Sequence, residues 1–307
     1  MPVVPCYATV NTERSDALSE YQYYEFLAID RPLKSDEMSA LRRLSTRAEI
    51  TPLSFTNEYQ WGDFKGNPTE LMRRYFDAHI YVANWMTAIF KLRLPIDVIS
   101  RKTAMTMAFR DFLDFDATET HWIITWSLTE SENYERFALE DGRGWMARLT
   151  PVREELMRGD FRSLYIGWLA GVFEEIIDDD ELEPMMPEGL GNLTAAQRAL
   201  VEYLEVDEDL LEGTCMGIPE RQDDSLSEQE IHDWLESFTH DEVLTLLKQL
   251  LEGQGPLAER TLKNRFAAWR RSVRGDVDVE PCRSVGTLLE NADTVKNKRL
   301  EQKKKKR

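Results

Sequence analysis

Residues 21–85 read YQYYEFLAIDRPLKSDEMSALRRLSTRAEITPLSFTNEYQWGDFKGNPTELMRRYFDAHIYVANW, and this stretch decides the fold. Within it, aromatic runs of β type alternate with helical patterns that carry their own start signals. Tyr21 to Ile29 is aromatic and apolar with imperfect alternation, which suits a strand, and Asp30 to Pro32 is its exit turn. Ser35 is placed to cap a helix with Asp36 and Glu37 in its first turn and Met38, Leu41 and Leu44 at helical spacing. Thr51 to Trp61 reads as the next strand, closed by a turn from Gly62 to Gly66. Asn67, Pro68 and Glu70 then form a strong helix start. The stripe Leu71, Tyr75, Phe76, His79, Ile80 and Val82 is expected to continue that helix against a sheet.

Working outward, Thr87 to Leu94 and His121 to Leu128 alternate as two more strands. The first 130 residues thus give about four strands with two or three helices, an α+β sandwich. Beyond Glu140 the pattern is helical: Trp145 to Met157 broken at Pro151, then Asp160 to Ile177 with Leu164, Trp168, Val172 and Phe173 on one face. Asp178 to Leu190 reads as a linker, Thr194 with Gln197 as a capping box, and Leu210 to Asp224 as an irregular connection. Two tandem boxes follow, Ser227 with Glu230 and Thr239 with Glu242, and hydrophobic staples pair Leu226 with Ile231 and Phe238 with Val243. The second of these helices carries Val243, Leu246, Leu247, Leu250 and Leu251 and stops at Gly253. Pro256 starts a third, with Leu262, Phe266, Trp269 and Val273 as its stripe. The organisation expected is a loose leader over 1–20, an α+β domain over 21–135 and a helical segment over 140–178. An acidic linker over 179–192, a helical array over 193–275 and a charged, mobile tail over 276–307 complete it.

The 307 residues, 42% hydrophobic with eight Trp, ten Tyr and thirteen Phe, are ample for a real core. No run of eighteen apolar residues occurs and MPVVPCYATVNTER has no basic leader, so a soluble, unexported chain is expected. Cys6, Cys215 and Cys282 are odd in number and far apart, which fits a reducing cytoplasm rather than a disulfide framework or a C-x-x-C metal site. Net charge is −18, an argument against a simple nucleic-acid or acidic-membrane binder, but it is unevenly spread. Residues 171–245 hold 23 Asp or Glu against Arg198 and Arg221, a balance of −21. Residues 256–307 hold 15 Lys or Arg against 7 acids, or +8.

The segments YEFLAIDRPL, LRRLSTRAEITP, WGDFKG and YFDAHIYVANW, together with LTLLKQLLEGQGPLAERTLKNRF, resemble a bacterial protein family without an assigned activity, over about residues 20–275. Members of that family are sometimes encoded beside proteins with SWIM-type zinc fingers. The resemblance implies such a protein as a partner and supplies no catalytic residue, cofactor or metal.

Each chemical candidate has a plainer counterpart. His79 sits beside Tyr75 and Phe76, as a hydrogen-bonded core histidine would; the alternative is a catalytic base. Asp111, Asp114 and Asp116 in FRDFLDFDATETH could hold Mg²⁺ or divide acid and base roles, and they equally suit a solvated amphipathic turn. The four histidines are scattered, and His232 and His240 lack a cysteine pair for zinc. Asp178 to Glu181 lacks the glycine and glutamate of a calcium loop, and DGRGW from Asp141 lacks the rest of a phosphate loop. The aromatics of residues 21–85, with Arg42, Arg43, Arg47, Lys65, Arg73 and Arg74 close by, could stack bases, but a helix-covered sheet needs them for its core. Lys263, Arg265, Arg270, Arg271 and Arg274 on the third array helix are compatible with helix-turn-helix DNA reading or with simple packing. Lys303, Lys304, Lys305, Lys306 and Arg307 form a basic end that could meet phosphates or the chain's own acidic middle.

The function expected from sequence is a non-enzymatic cytoplasmic interaction or scaffold protein without cofactor or metal. The alternatives are a nucleic-acid-associated protein using the basic C-terminal helices and tail, and an enzyme with a dispersed carboxylate site.

Overall fold

The computed structural model describes residues 20–305 except 61, 63, 110, 130, 140, 173–179, 188, 217–227 and 275–282. Its centre is a seven-stranded sheet in which every neighbouring pair is antiparallel, and the fold class is α+β. The strands are β1 (Gln22–Leu27), β2 (Glu49–Ile50), β3 (Ser54–Tyr59), β4 (Ala78–Ala83), β5 (Thr87–Pro95), β6 (Leu113–Ala117) and β7 (His121–Leu128). Their spatial order is β2-β3-β1-β4-β5-β7-β6.

The pleat sorts the strand residues into two cores. Ile80 and Val82 of β4, Phe90, Leu92 and Leu94 of β5, and Trp122, Ile124 and Trp126 of β7 point to one face. Tyr24 and Phe26 of β1, Phe55 of β3 and Ile123 of β7 point to the other. Helices α1 (Ser35–Leu44) and α2 (Pro68–Arg74) cover this second face with Leu41, Leu71 and Met72. Asn67 caps α2 by accepting from the Glu70 N–H at 3.1 Å, as its sequence signal predicts. In α1 the cap position belongs to Lys34, with Ser35 already inside the helix. Glu37 closes that turn by accepting from the Lys34 N–H at 2.8 Å, and Arg31 with that N–H holds its carboxyl down to about 2.

The first face is covered by α3 (Arg101–Met107), α5 (Trp145–Leu149), α6 (Pro151–Met157), α7 (Arg162–Val172) and α8 (Ala195–Tyr203), with α4 (Tyr134–Leu139) bringing Phe137 into the same core. Every residue of α7 from Ser163 to Val172 is buried. Its glycines let it lie close: a Cβ on Gly167 would meet Trp126 Cδ1 at 2.5 Å, and one on Gly171 would meet Phe109 Cδ1 at 2.0 Å.

The helix expected to run from Asn67 through Val82 ends at Arg74, and His79, Ile80 and Val82 belong to β4. A central strand covered on both faces is apolar almost continuously, so its residues also satisfy a helical stripe. The expected solvated turn around Asp111 to Asp116 contains the edge strand β6, and with β4 and two-residue β2 this raises the strands from four to seven. Asp207 caps α9 (Glu208–Thr214) by accepting from the Asp209 and Leu210 N–H groups, and this helix takes up the start of the connection expected to be irregular from Leu210.

The C-terminal array comprises α10 (Glu228–Glu236), α11 (His240–Leu251) and α12 (Gly255–Arg274). Thr239 and Glu242 form the expected capping box on α11, and Gly253 takes the left-handed conformation just past its end. The box residue Ser227 lies outside the described residues. Arg260 of α12, almost fully buried, pairs with Asp97 after β5 and fixes α12 to the body beside α6. The end expected to be a mobile tail contains α13 (Val285–Lys305), which packs along α9. Val285, Leu288 and Val295 are buried and Arg299 pairs with Asp209 at 2.6 Å, anchors that a simple count of apolar residues underrates. Nearby, Glu183 from the expected linker is buried, pairs with Arg283 at 2.9 Å and accepts from Tyr165 Oη at 3.0 Å.

Candidate functional site

Chemistry-bearing side chains gather in a polar row across the sheet, a charged cleft at one end of it, and the surface of the helical array. The row follows the register: Phe26 faces His79, His79 faces Lys91, Lys91 faces Thr125, and Thr125 faces Asp114. His79 is buried and stacks on Phe26 with ring centroids 3.9 Å apart, and its Nδ1 lies 3.0 Å from the Glu25 carbonyl oxygen. Burial drives its pKa down to about 3, with Lys91 adding to the effect, so the imidazole is a neutral core group at physiological pH. Lys91 donates from Nζ to Thr125 Oγ1 at 2.9 Å. Burial lowers its pKa, against the opposing pull of Asp114 and Asp116.

The three aspartates do not converge. Asp111 is exposed in the turn before β6, Asp114 and Asp116 share one side of that edge strand, and Asp116 pairs with Arg73 of α2. Among the described residues no group of three or more His, Cys, Asp or Glu side chains could hold a metal ion.

Beside this row, Arg73, Arg93, His121 and the turn from Thr118 to Thr120 line an open cleft of about 270 Å³. Asp77, deeply buried beneath it, accepts from the Ile29 and Asp30 N–H groups at 2.7 and 2.9 Å and from Arg93 Nη2 at 2.7 Å. Burial pushes the Asp77 carboxyl up, but these N–H donors and the guanidinium outweigh it and hold the pKa below the ordinary value. Arg153 of α6 spans to Asp30 at 2.9 Å and to the Arg93 carbonyl at 3.1 Å. His121 is partly buried, and burial with the Arg93 charge lowers its pKa. This end of the sheet is a lattice of charges satisfying one another, joining α2, α6 and three strands. Sequence reading missed it because its members lie far apart in the chain; the signal was polar residues alternating on β5 and β7.

On the array, the cations that the sequence left open to DNA reading or to simple packing are engaged where they are described. Arg265 pairs with Glu242 at 2.8 Å and lies over the Phe238 ring, and Lys263 pairs with Glu259 at 2.9 Å. The side chains of Arg270, Arg271 and Arg274, and all of Lys306 and Arg307, lie outside the described residues. Lys303, Lys304 and Lys305 are exposed on the last turn of α13.

The array's least expected feature is apolar. No residue of α11 is buried, and Val243 (40% exposed), Leu244 (50%), Leu247 (50%), Leu250 (52%) and Leu251 (90%) stand in solvent. At about 100° per residue these five fall within an arc of about 120°. The opposite side of α11, with Glu242, Leu246 and Gln249 partly covered, faces α12. Burying one leucine is worth about 1.5–3 kcal/mol, so leaving a whole stripe uncovered forgoes a large share of a domain's net stability. Among the described residues no helix is long and apolar enough to cross a membrane. No protein-family model, no curated protein and no solved structure matches the chain.

Proposed function

We propose that the chain is a non-enzymatic interaction protein of the cytoplasm, whose α+β body carries a helical array that docks an amphipathic helix of a protein partner. The observation that carries this reading is the exposed leucine stripe of α11, on an array joined to the body by the Arg260 to Asp97 pair and within itself by Glu242 to Arg265. Contiguous exposed apolar side chains at helical spacing are the signature of helix-in-groove recognition. The polar residues of the sheet favour the same reading, since Arg73 pairs with Asp116, Arg93 with Asp77 and Arg153 with Asp30, and His79 is enclosed. The cysteine count fits a reducing compartment.

Affinity purification from the native host, with and without nuclease, tests the reading when wild type is compared with the Leu247→Glu, Leu251→Glu variant. Protein partners should survive nuclease with the wild type and be lost with the variant, while both proteins give the same circular dichroism. Partners that disappear on nuclease treatment would favour the nucleic-acid alternative, and partners indifferent to the variant would remove α11 from the function.

A further inference from the structure

We infer that the α11 stripe accepts a basic amphipathic helix. The inference rests on the interaction reading above and adds the chemistry of the partner.

The geometry selects a helix. Val243, Leu247, Leu250 and Leu251 recur at the i, i+4, i+7 and i+8 spacing that a second helix matches with its own ridges, whereas an extended peptide would seek an unpaired strand edge. The twelve residues of α11 span about 18 Å, room for a partner of about three turns.

Charge selects its sign. Residues 228–252 carry seven carboxylates, Glu228, Glu230, Asp233, Glu236, Asp241, Glu242 and Glu252, against Lys248 alone. Lys248 lies 3.7 Å from Glu252 on its own helix, so these two charges offset one another and the excess rests on the other six carboxylates. The neighbouring cations that are described turn elsewhere: Arg260 to Asp97, Lys263 to Glu259 and Arg265 to Glu242. Asp233, Glu236, Asp241 and Glu252 are exposed. A partner helix with Lys or Arg beside its apolar stripe therefore gains both in encounter rate and in register. A second copy of this chain would bring the same excess of carboxylates against itself, and five part-exposed side chains fall well below the area of a stable homodimer.

The test titrates the full chain with synthetic peptides of about 18 residues, long enough for five turns. One has leucines at heptad spacing with lysines elsewhere, one has glutamates in place of the lysines, and one is the leucine–lysine peptide with its order scrambled. The amphipathic lysine peptide should bind at least about tenfold more tightly than either control, and should weaken as the Debye length falls from about 10 Å to about 3 Å. Leu247→Ser with Leu251→Ser should remove that advantage, and Glu236→Lys with Asp241→Lys and Glu252→Lys should shift the preference to the glutamate peptide. Equal binding of the lysine and glutamate peptides would overturn the charge assignment and leave the docking function intact. Binding of the scrambled peptide as tightly as the ordered one would reduce the effect to net charge and overturn the helix assignment. No binding by any peptide, with self-association abolished by Leu247→Glu, would make a second copy the occupant and overturn this inference alone. No binding and no self-association would sink the docking function with it.

Discussion

Helices α7 and α11 have similar lengths, eleven and twelve residues, and both are rich in apolar side chains, yet their fates are opposite. In RSLYIGWLAGV every residue after the first is buried, while in HDEVLTLLKQLL none is. The difference lies in what surrounds the apolar side chains. In α7 they occur all round the helix, with Gly167 and Gly171 allowing Trp126 and Phe109 to approach, so the helix is usable only inside a core. In α11 they form one stripe backed by Asp241, Glu242, Lys248 and Glu252, so the helix stands at a surface with its apolar side facing out. The comparison teaches that one helix stabilises the fold while the other leaves apolar area exposed, the area on which the proposed docking rests.

The sharpest break between the two regions should come from Trp126. It is fully buried, stacks on Phe90 and donates from Nε1 to the Ser163 carbonyl of α7 at 3.0 Å. Trp126→Ala should cost about 3–5 kcal/mol in urea denaturation, through lost burial and the cavity left behind. A loss under about 1 kcal/mol would mean that α7 is not seated on β7.

A smaller effect per pH unit is expected from acid in the core on the opposite face of the sheet, where His79 stacks on Phe26. Burial holds the His79 pKa near 3, well below its ordinary 6.5, so between those values the unfolded chain binds the proton that the folded chain refuses. Stability should therefore fall as pH drops below about 6.5, at about 1.4 kcal/mol per pH unit for this group. His79→Phe should flatten that slope, and an unchanged slope would place the acid sensitivity elsewhere.

Most of the sheet was legible because β1, β3, β5 and β7 alternate over six or more residues and end in turn chemistry. AHIYVA of β4 was misread because a strand covered on both faces loses its alternation and, placed after the well-capped α2, passes for the next turns of that helix. LDFDA of β6 was too short and acidic to separate from a turn, although Asp114 and Asp116 are what keeps a sheet edge from pairing with another chain. For the candidate site the limit was different. The periodicity of Val243, Leu247, Leu250 and Leu251 was plain in the sequence, but periodicity gives the direction of a stripe and not what covers it.

Within the array, Thr239→Ala removes the acceptor for the Glu242 N–H and should cost about 1 kcal/mol. Amide exchange should rise in α11 and leave the sheet strands unchanged, since α11 contributes no residue to either core of the sheet; faster exchange in β5 or β7 would show that they unfold as one unit.

The smallest effect is expected from the residues on which the proposed docking depends. Leu247→Ser with Leu251→Ser should leave the unfolding free energy in urea within about 1 kcal/mol of wild type, because Leu247 is half exposed and Leu251 90% exposed in the folded chain. A loss of about 2 kcal/mol or more, the range of a truncated core leucine, would contradict the account by making the stripe part of the fold.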